Sequence, residues 1–314
     1  MKVAVVIPSY KVKKHILALI PEIGSEISKI YVVDDKCPEN SGLFVQENCH
    51  DPRVEVLFNE KNMGVGGAVK TGYKKALLDD IEIIVKLDGD GQMNPKLIPA
   101  LIKKIEQGKA DYVKGNRFYN IDTLMAMPKL RLFGNSMLSF INKFVNGYWN
   151  IMDPTNGFTA IHLSALKQLP LDKIENRYFF ESDMLFRLGV ARAVVADMSM
   201  DAKYADEVSN LSIRKVLFEF PPKYFVRFFK RIFYSYFLRD FNAASVELVL
   251  GFVFLVFGFS VGSFYWAQSI KTGISATSGT VMLAALPIIL GMQLLLSALS
   301  FDMKNLPKEP LQDN

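Results

Sequence analysis

Short apolar runs recur along the first part of the chain, each followed by a stretch whose apolar positions fall at helical spacing. Residues 3–7, 30–33, 54–58, 81–87 and 112–115 read as strands, and 14–27, 65–78 and 95–107 as helices. Strands that alternate with helices predict an α/β domain with a mostly parallel, Rossmann-like sheet and helices on both faces. In such sheets ligands bind beyond the carboxyl ends of the strands. Pro8-Ser9-Tyr10, Asp34-Asp35 and Asp88-Gly89-Asp90 each follow a strand, so all three fall on that rim.

The pattern changes near residue 245. No charged residue occurs in 248–270 or in 272–301, and only Lys271 separates the two runs. About 20 apolar residues suffice to span a bilayer, so a transmembrane hairpin is expected, with spans at about 246–270 and 278–301. Residues 214–241 mix Phe and Tyr with Lys223, Arg227, Lys230, Arg231 and Arg239, the composition of helices lying in a membrane interface. A split at Pro221-Pro222 would make two such helices. The expected layout is a catalytic domain at 1–212, interfacial amphipathic helices at 213–242, two spans within 243–303 and a tail at 304–314. The cations before the first span place the polar domain and the tail in the cytoplasm, and the protein as a whole in the cell inner or plasma membrane.

Composition narrows the picture. The chain has 314 residues, half of them apolar, and a formal net charge of +5. The N-terminus lacks the features of a signal peptide. Cys37 and Cys49 match no metal spacing, which fits a reducing compartment. The basic excess suits membrane lipid; no pattern of cations interleaved with base-stacking aromatics points to nucleic acid.

The candidate chemistry centres on Asp88-Gly89-Asp90-Gly91-Gln92. Alternate residues of an extended segment point the same way, so Asp88 and Asp90 can converge on one cation with Gln92 in reach. Hard oxygen ligands suit Mg²⁺ or Mn²⁺, completed by substrate phosphates. Taken alone, the stretch also reads as an acidic turn. The glycine-rich segment 62–72 suits close packing of a helix on a strand better than anion binding, with Lys70 in a position to face a nucleotide. Gly115-Asn116-Arg117, Arg131, Ser136, Asp153-Pro154-Thr155-Asn156-Gly157-Phe158 and Glu181-Ser182-Asp183 are further polar signals.

In order, these pieces resemble the family 2 glycosyltransferases of GT-A fold. With the C-terminal hairpin they are similar to the polyprenyl-phosphate glycosyltransferases, such as dolichyl-phosphate mannose synthases and bactoprenol glucosyltransferases. The resemblance implies that Asp34 and Asp35 contact the nucleoside near Pro8 and Tyr10, and that Asp88, Asp90 and Gln92 hold the metal on the donor diphosphate beside Gly89. It places Arg117, Arg131 and Ser136 on the acceptor phosphate, Asp153 and Asn156 in the sugar pocket, and Glu181 and Asp183 near the reacting centre. Lys203 falls where related enzymes carry a cation for the diphosphate. The implied reaction is inverting transfer from a nucleotide sugar, UDP-glucose or similar, to polyprenyl phosphate at the cytoplasmic membrane face. A homo-oligomer, as a tetramer, and a flippase partner go with that implication. A phosphate acceptor is mostly dianionic at neutral pH and needs cations to align it more than a strong base. The competing readings are a processive polysaccharide synthase, against which neither Trp149 nor Trp266 lies in a Gln-x-x-Arg-Trp motif, and a non-catalytic nucleotide-binding membrane partner.

Overall fold

The computed structural model describes residues 1–119, 129–200 and 213–313, and of 129–131, 213–217 and 313 the backbone alone. The chain divides into two compact units, Met1–Phe228 with Pro307–Asn314, and Phe229–Leu306.

In the first unit one sheet contains β1 (Val3–Ser9), β2 (Lys29–Asp34), β3 (Val54–Phe58), β4 (Ile83–Lys86), β5 (Tyr112–Asn116), β6 (Thr159–His162) and β7 (Val195–Ser199). The strand order is β3-β2-β1-β4-β6-β5-β7. β6 runs antiparallel to β4 and β5, and the other pairs are parallel. The order reverses between β1 and β4, which opens a crevice at their carboxyl ends. Helices α1 (Ser41–Asn48), α2 (Val65–Leu78), α3 (Ile98–Glu106), α4 (Lys129–Asn146) and α5 (Phe180–Ala191) accompany the sheet. Val3, Val5 and Ile7 alternate into one core with Ile30, Val32, Ile83, Val85 and the apolar stripe Ile98, Leu101, Ile102 and Ile105 of α3.

Expectation and structure differ in three ways. The helix expected over 14–27 is reduced to Ile16–Leu19 and a single 3₁₀ turn, Ile20–Glu22, because Pro21 lacks the N–H that would continue it. β6, β7, α1 and α4 were not anticipated. α6 (Ile213–Phe233) runs through Pro221-Pro222 without a break. Two prolines forfeit helical hydrogen bonds, but Phe220 and Tyr224 on the same stretch are buried against Phe179 and Val145, and that packing holds the helix together.

The tail returns to the first unit. The Leu311 N–H donates to Asp111 Oδ1 at 2.8 Å, and Gln312 Nε2 donates to the carbonyls of Ile105 at 3.2 Å and Ala110 at 3.1 Å.

The second unit is a helical hairpin of α7 (Ala243–Thr272) and α8 (Ser278–Lys304), both long and apolar enough to cross a membrane. Most of their apolar side chains are exposed, among them Phe252, Phe259, Trp266 and Ile289, unlike those of core helices in a water-soluble protein. Gly251 and Gly291 bring the two backbones together: a Cβ at Gly251 would lie 3.0 Å from the Gly291 carbonyl oxygen. Small residues at such a crossing are what helix pairing in lipid favours. Near the polar end, Arg231 clamps Asp302 with two hydrogen bonds of 2.7 and 3.1 Å, and Tyr236 donates to the same carboxylate at 2.5 Å.

Candidate functional site

The centre of the rim is a lysine on a buried strand. Lys86, 1% exposed, ends β4 with its Nζ 2.9 Å from Asp88 Oδ1 and 3.1 Å from Glu181 Oε1. Burial disfavours its charge, yet the two carboxylates outweigh that cost and hold its pKa above the ordinary lysine value. Gly157 lies directly over the pair, where a methyl group would strike both Lys86 Nζ and Asp88 Oδ2. Beyond Asp88 the chain turns. Gly91 takes a positive φ, and the Gln92 N–H donates to Asp90 Oδ1 at 3.0 Å. Gly89 packs under Ile7, Val12 and the Pro8 carbonyl. Asp88 and Asp90 are partly exposed on this turn. No group of three or more His, Cys, Asp or Glu residues suited to a metal occurs among the described residues. Two partly exposed carboxylates on a glycine turn do fit a hard cation whose remaining ligands come from a diphosphate and water.

The neighbouring rim is built from Asp34 and Asp35, both buried. Asp34 accepts from the N–H groups of Cys37 at 2.7 Å and Gly42 at 2.6 Å, which fixes the approach to α1. Asp35 accepts from Asn59 Nδ2 at 2.8 Å and from the N–H groups of Met63 at 2.9 Å and Gly64 at 2.6 Å. It thereby folds the glycine-rich segment over the end of β2. The glycines of that segment serve close packing: Gly72 meets Val6, and Gly66 meets Phe180 and the Glu175 carbonyl. Lys70 points inward, and its Nζ donates to the Ile174 carbonyl at 2.7 Å. Burial pulls its pKa down. Pro8 pairs with Val33 across the β1–β2 ladder, and Tyr10, just past the strand, is exposed.

On the other side of Lys86 lies a second buried lysine. Thr159 of β6 is the register partner of both Lys86 and Lys114, and Lys114 is paired in turn with Asp197. A row of polar side chains therefore crosses four strands of an apolar sheet. Lys114 Nζ donates to the carbonyls of Asp153 and Asn156, holding the 153–157 turn on the end of β5. Burial lowers its pKa to about 8, against the pull of Asp153 and Asp197. Burial likewise raises the pKa of Asp197, which accepts from Asn116 Nδ2 at 3.0 Å. Arg117 grips the fully buried Asp153 with two hydrogen bonds, Nε at 2.7 Å and Nη2 at 2.9 Å. Burial alone would raise the pKa of Asp153, and the Arg117 contacts bring it below the usual value. Asn156 Oδ1 accepts from the Phe158 N–H at 2.9 Å.

Helix geometry separates Glu181 from Asp183. Residues two apart are about 200° apart around an α-helix. Glu181 faces Lys86, while Asp183 is buried and accepts from Arg187 Nε and Arg227 Nε, each at 3.0 Å. Ser136 is exposed on α4. The Arg131 side chain and Lys203 lie outside the described residues. The structure thus brings Asp88 and Glu181 together through Lys86, and Arg117 together with Asp153, while it turns Asp183 and Lys70 toward other partners. Lys86 and Lys114 escaped the sequence reading; a lysine set inside an otherwise apolar strand is the signal that marks them.

A reversed-order α/β sheet with two carboxylates at the carboxyl end of β4 defines a glycosyltransferase of GT-A fold. The chain belongs to glycosyl transferase family 2, whose profile matches residues 4–170. It is 32% identical over 187 residues to a UDP-N-acetylglucosamine–dolichyl-phosphate N-acetylglucosaminyltransferase of Methanococcus voltae, covering 55% of this chain and 74% of the relative. An undecaprenyl-phosphate mannosyltransferase of Micrococcus luteus is 29% identical over 60% of this chain and 77% of its own. Among solved structures, the glucosyl-3-phosphoglycerate synthase of Mycobacterium tuberculosis, in complex with Mn²⁺, UDP and glucosyl-3-phosphoglycerate, superposes with a TM-score of 0.51 at 17% identity, covering 73% of this chain and 79% of that one.

Proposed function

We propose that the protein transfers a sugar from a nucleotide-diphosphate donor to a polyprenyl phosphate at a membrane surface, inverting the anomeric centre. The observation that carries this reading is the joining, in one family 2 chain, of a rim with paired carboxylates to a hairpin of two exposed apolar helices. The names of the Methanococcus and Micrococcus relatives, both of which specify a lipid phosphate, support the acceptor class.

In this reading Pro8, Tyr10, Asp34 and Asp35 receive the nucleoside. Both Asp34 oxygens and Asp35 Oδ2 keep a second lone pair beyond their backbone partners, whereas Asp35 Oδ1 already accepts from Asn59 and Met63. Asp88, Asp90 and Gln92 hold Mg²⁺ or Mn²⁺, which when bound neutralises the charge that develops on the diphosphate leaving group. Gly89 lies beside the donor diphosphate, and Gly157 lets the 153–157 turn close on Lys86 and Asp88. Asp153 and Asn156 line the sugar pocket, and Glu181 stands at the reacting centre with Lys86 fixing its direction. Arg117, Arg131 and Ser136 receive the acceptor phosphate. Residues 1–212 are the catalytic domain on the cytoplasmic face, 213–242 lie in the interface, and the spans at about 246–270 and 278–301 keep the site beside its lipid substrate.

The test is a panel of labelled UDP- and GDP-sugars offered to the purified full chain with undecaprenyl phosphate and Mg²⁺ or Mn²⁺. One donor should give a lipid-linked monosaccharide, with EDTA abolishing and added metal restoring transfer. Release of nucleotide without lipid product for every donor overturns the acceptor assignment. Full activity in EDTA overturns the metal assignment.

A further inference from the structure

Helix α6 has two unlike faces in the first unit. Phe218 and Phe225 are exposed on one side. Phe220, Lys223, Tyr224 and Arg227 follow helical spacing on the other, and all four grip one short segment, residues 174–183. Lys223 Nζ and Arg227 Nη2 each donate to Glu175 at 2.8 Å, and Arg227 Nε donates to Asp183 at 3.0 Å. The Tyr224 hydroxyl bonds Ser182 Oγ at 3.1 Å and accepts from Asn142 Nδ2 at 2.8 Å. The Phe179 ring meets those of Phe220 and Tyr224 at 5.1 and 4.9 Å, with the cations of Lys223 and Arg227 over it at 5.5 and 5.4 Å.

The gripped segment is also the one that reaches the rim. Its Ile174 carbonyl holds Lys70, its Asn176 carbonyl accepts from the Gly67 N–H at 3.0 Å, and its Glu181 pairs with Lys86. Asp183 and Glu181 lie in the same first turn of α5, on opposite sides. A clamp on Asp183 therefore sets the rotation of that turn and, with it, the direction of Glu181. Burying a carboxylate between two arginines is costly unless every partner is in place, so the turn has one well-defined position while Arg227 is present.

We infer that Arg227 is a positioning residue for sugar transfer: acting through Asp183, it sets Glu181 against Lys86. The inference rests on the assignment of Glu181 to the reacting centre. Its test is a double-mutant cycle on the full chain, with undecaprenyl phosphate in detergent micelles and the donor selected by the panel above. Arg227→Met should lower kcat by about tenfold to a hundredfold, the scale of a small misplacement of a reacting group. The donor KM should change by less than about threefold, and Arg227→Lys should recover part of the loss. In a Glu181→Gln background, Arg227→Met should cause little further slowing, because both changes disable one device. If Arg227→Met fails to fold, Tyr224→Phe, which removes only the hydroxyl links to Ser182 and Asn142, enters the same cycle. Equal slowing in both backgrounds, as a purely structural role predicts, overturns the inference alone. Full activity of Glu181→Gln overturns the assignment of Glu181 and the inference together.

Discussion

Lys86 and Lys114 form the polar heart of a sheet whose neighbouring positions are apolar, and each holds a different part of the rim. Lys114 gives a pH signature. Its folded pKa of about 8 lies below the usual lysine value, so between about pH 8 and 10.4 the unfolded chain binds more protons than the folded one, and stability rises with pH. Relative to Lys114→Met, the native protein should gain about 2 kcal/mol between pH 7 and 10. Chemical unfolding followed by Trp149 fluorescence in a Trp266→Phe background measures this. Gly157→Ala should reduce kcat by about tenfold or more through the contact with Lys86 and Asp88, with the unfolding midpoint checked in parallel. Asp90→Asn should abolish metal-dependent transfer yet leave the unfolding midpoint within a few degrees, because Asp90 lies on a partly exposed turn. Asp88→Asn should abolish transfer and also lower the midpoint, because it removes one of the two carboxylates beside the buried Lys86 ammonium. The carboxylates were legible because Asp-x-Asp after a strand is a local pattern. The lysines were missed because a single charge inside an apolar run is a faint local signal. Most of the partners that make its burial tolerable, Glu181 for Lys86 and the Asp153 and Asn156 carbonyls for Lys114, are distant in sequence.

At the scale of elements, strands β1 to β5 and helices α2 and α3 were legible from periodicity. β6 and β7 were not: β6 has four residues, Thr159–His162, and takes its place through pairing with β4 and β5, a long-range choice that local pattern does not encode. Pro221-Pro222 misled in the opposite direction, because the packing of Phe220 and Tyr224 overrides a local breaking signal. In the hairpin, the close approach at Gly251 has a simple test. Gly251→Leu would force α7 away from Leu295 and the Gly291 carbonyl and should cost about 1–3 kcal/mol, the range for overpacking. A fall in the thermal midpoint in detergent, with the secondary-structure content retained, is the expected result.

For the whole molecule, the charge-free runs after residue 245 made the hairpin plain from sequence, whereas the docking of the tail left no sequence signal. Leu311 and Gln312 meet backbone and carboxylate groups of Ile105, Ala110 and Asp111, far away in the chain. Deleting residues 307–314 should destabilise the first unit by about 1–3 kcal/mol, since it strips a donor from the buried Asp111 carboxylate. Thermal unfolding of the full chain and the truncated chain in one detergent compares them directly. A reporter after Asn314 should report the compartment that contains the catalytic domain, and a tag in the α7–α8 loop the opposite one.

The Arg117–Asp153 pair bears on turnover. The Asp153 carboxylate occupies the Nε–Nη2 edge of the Arg117 guanidinium, so a phosphate that takes that edge must displace it. A phosphate monoester carries close to two negative charges at neutral pH, whereas the phosphodiester made from it carries one. In the proposed reaction the incoming lipid phosphate competes well with Asp153, and the glycosylated product competes poorly. Sugar transfer thus weakens the ligand at the moment it succeeds, and the returning carboxylate drives the product off. Asp153→Asn, a weaker rival for Arg117, should bind the product more tightly, so that product inhibition rather than acceptor capture comes to limit its rate.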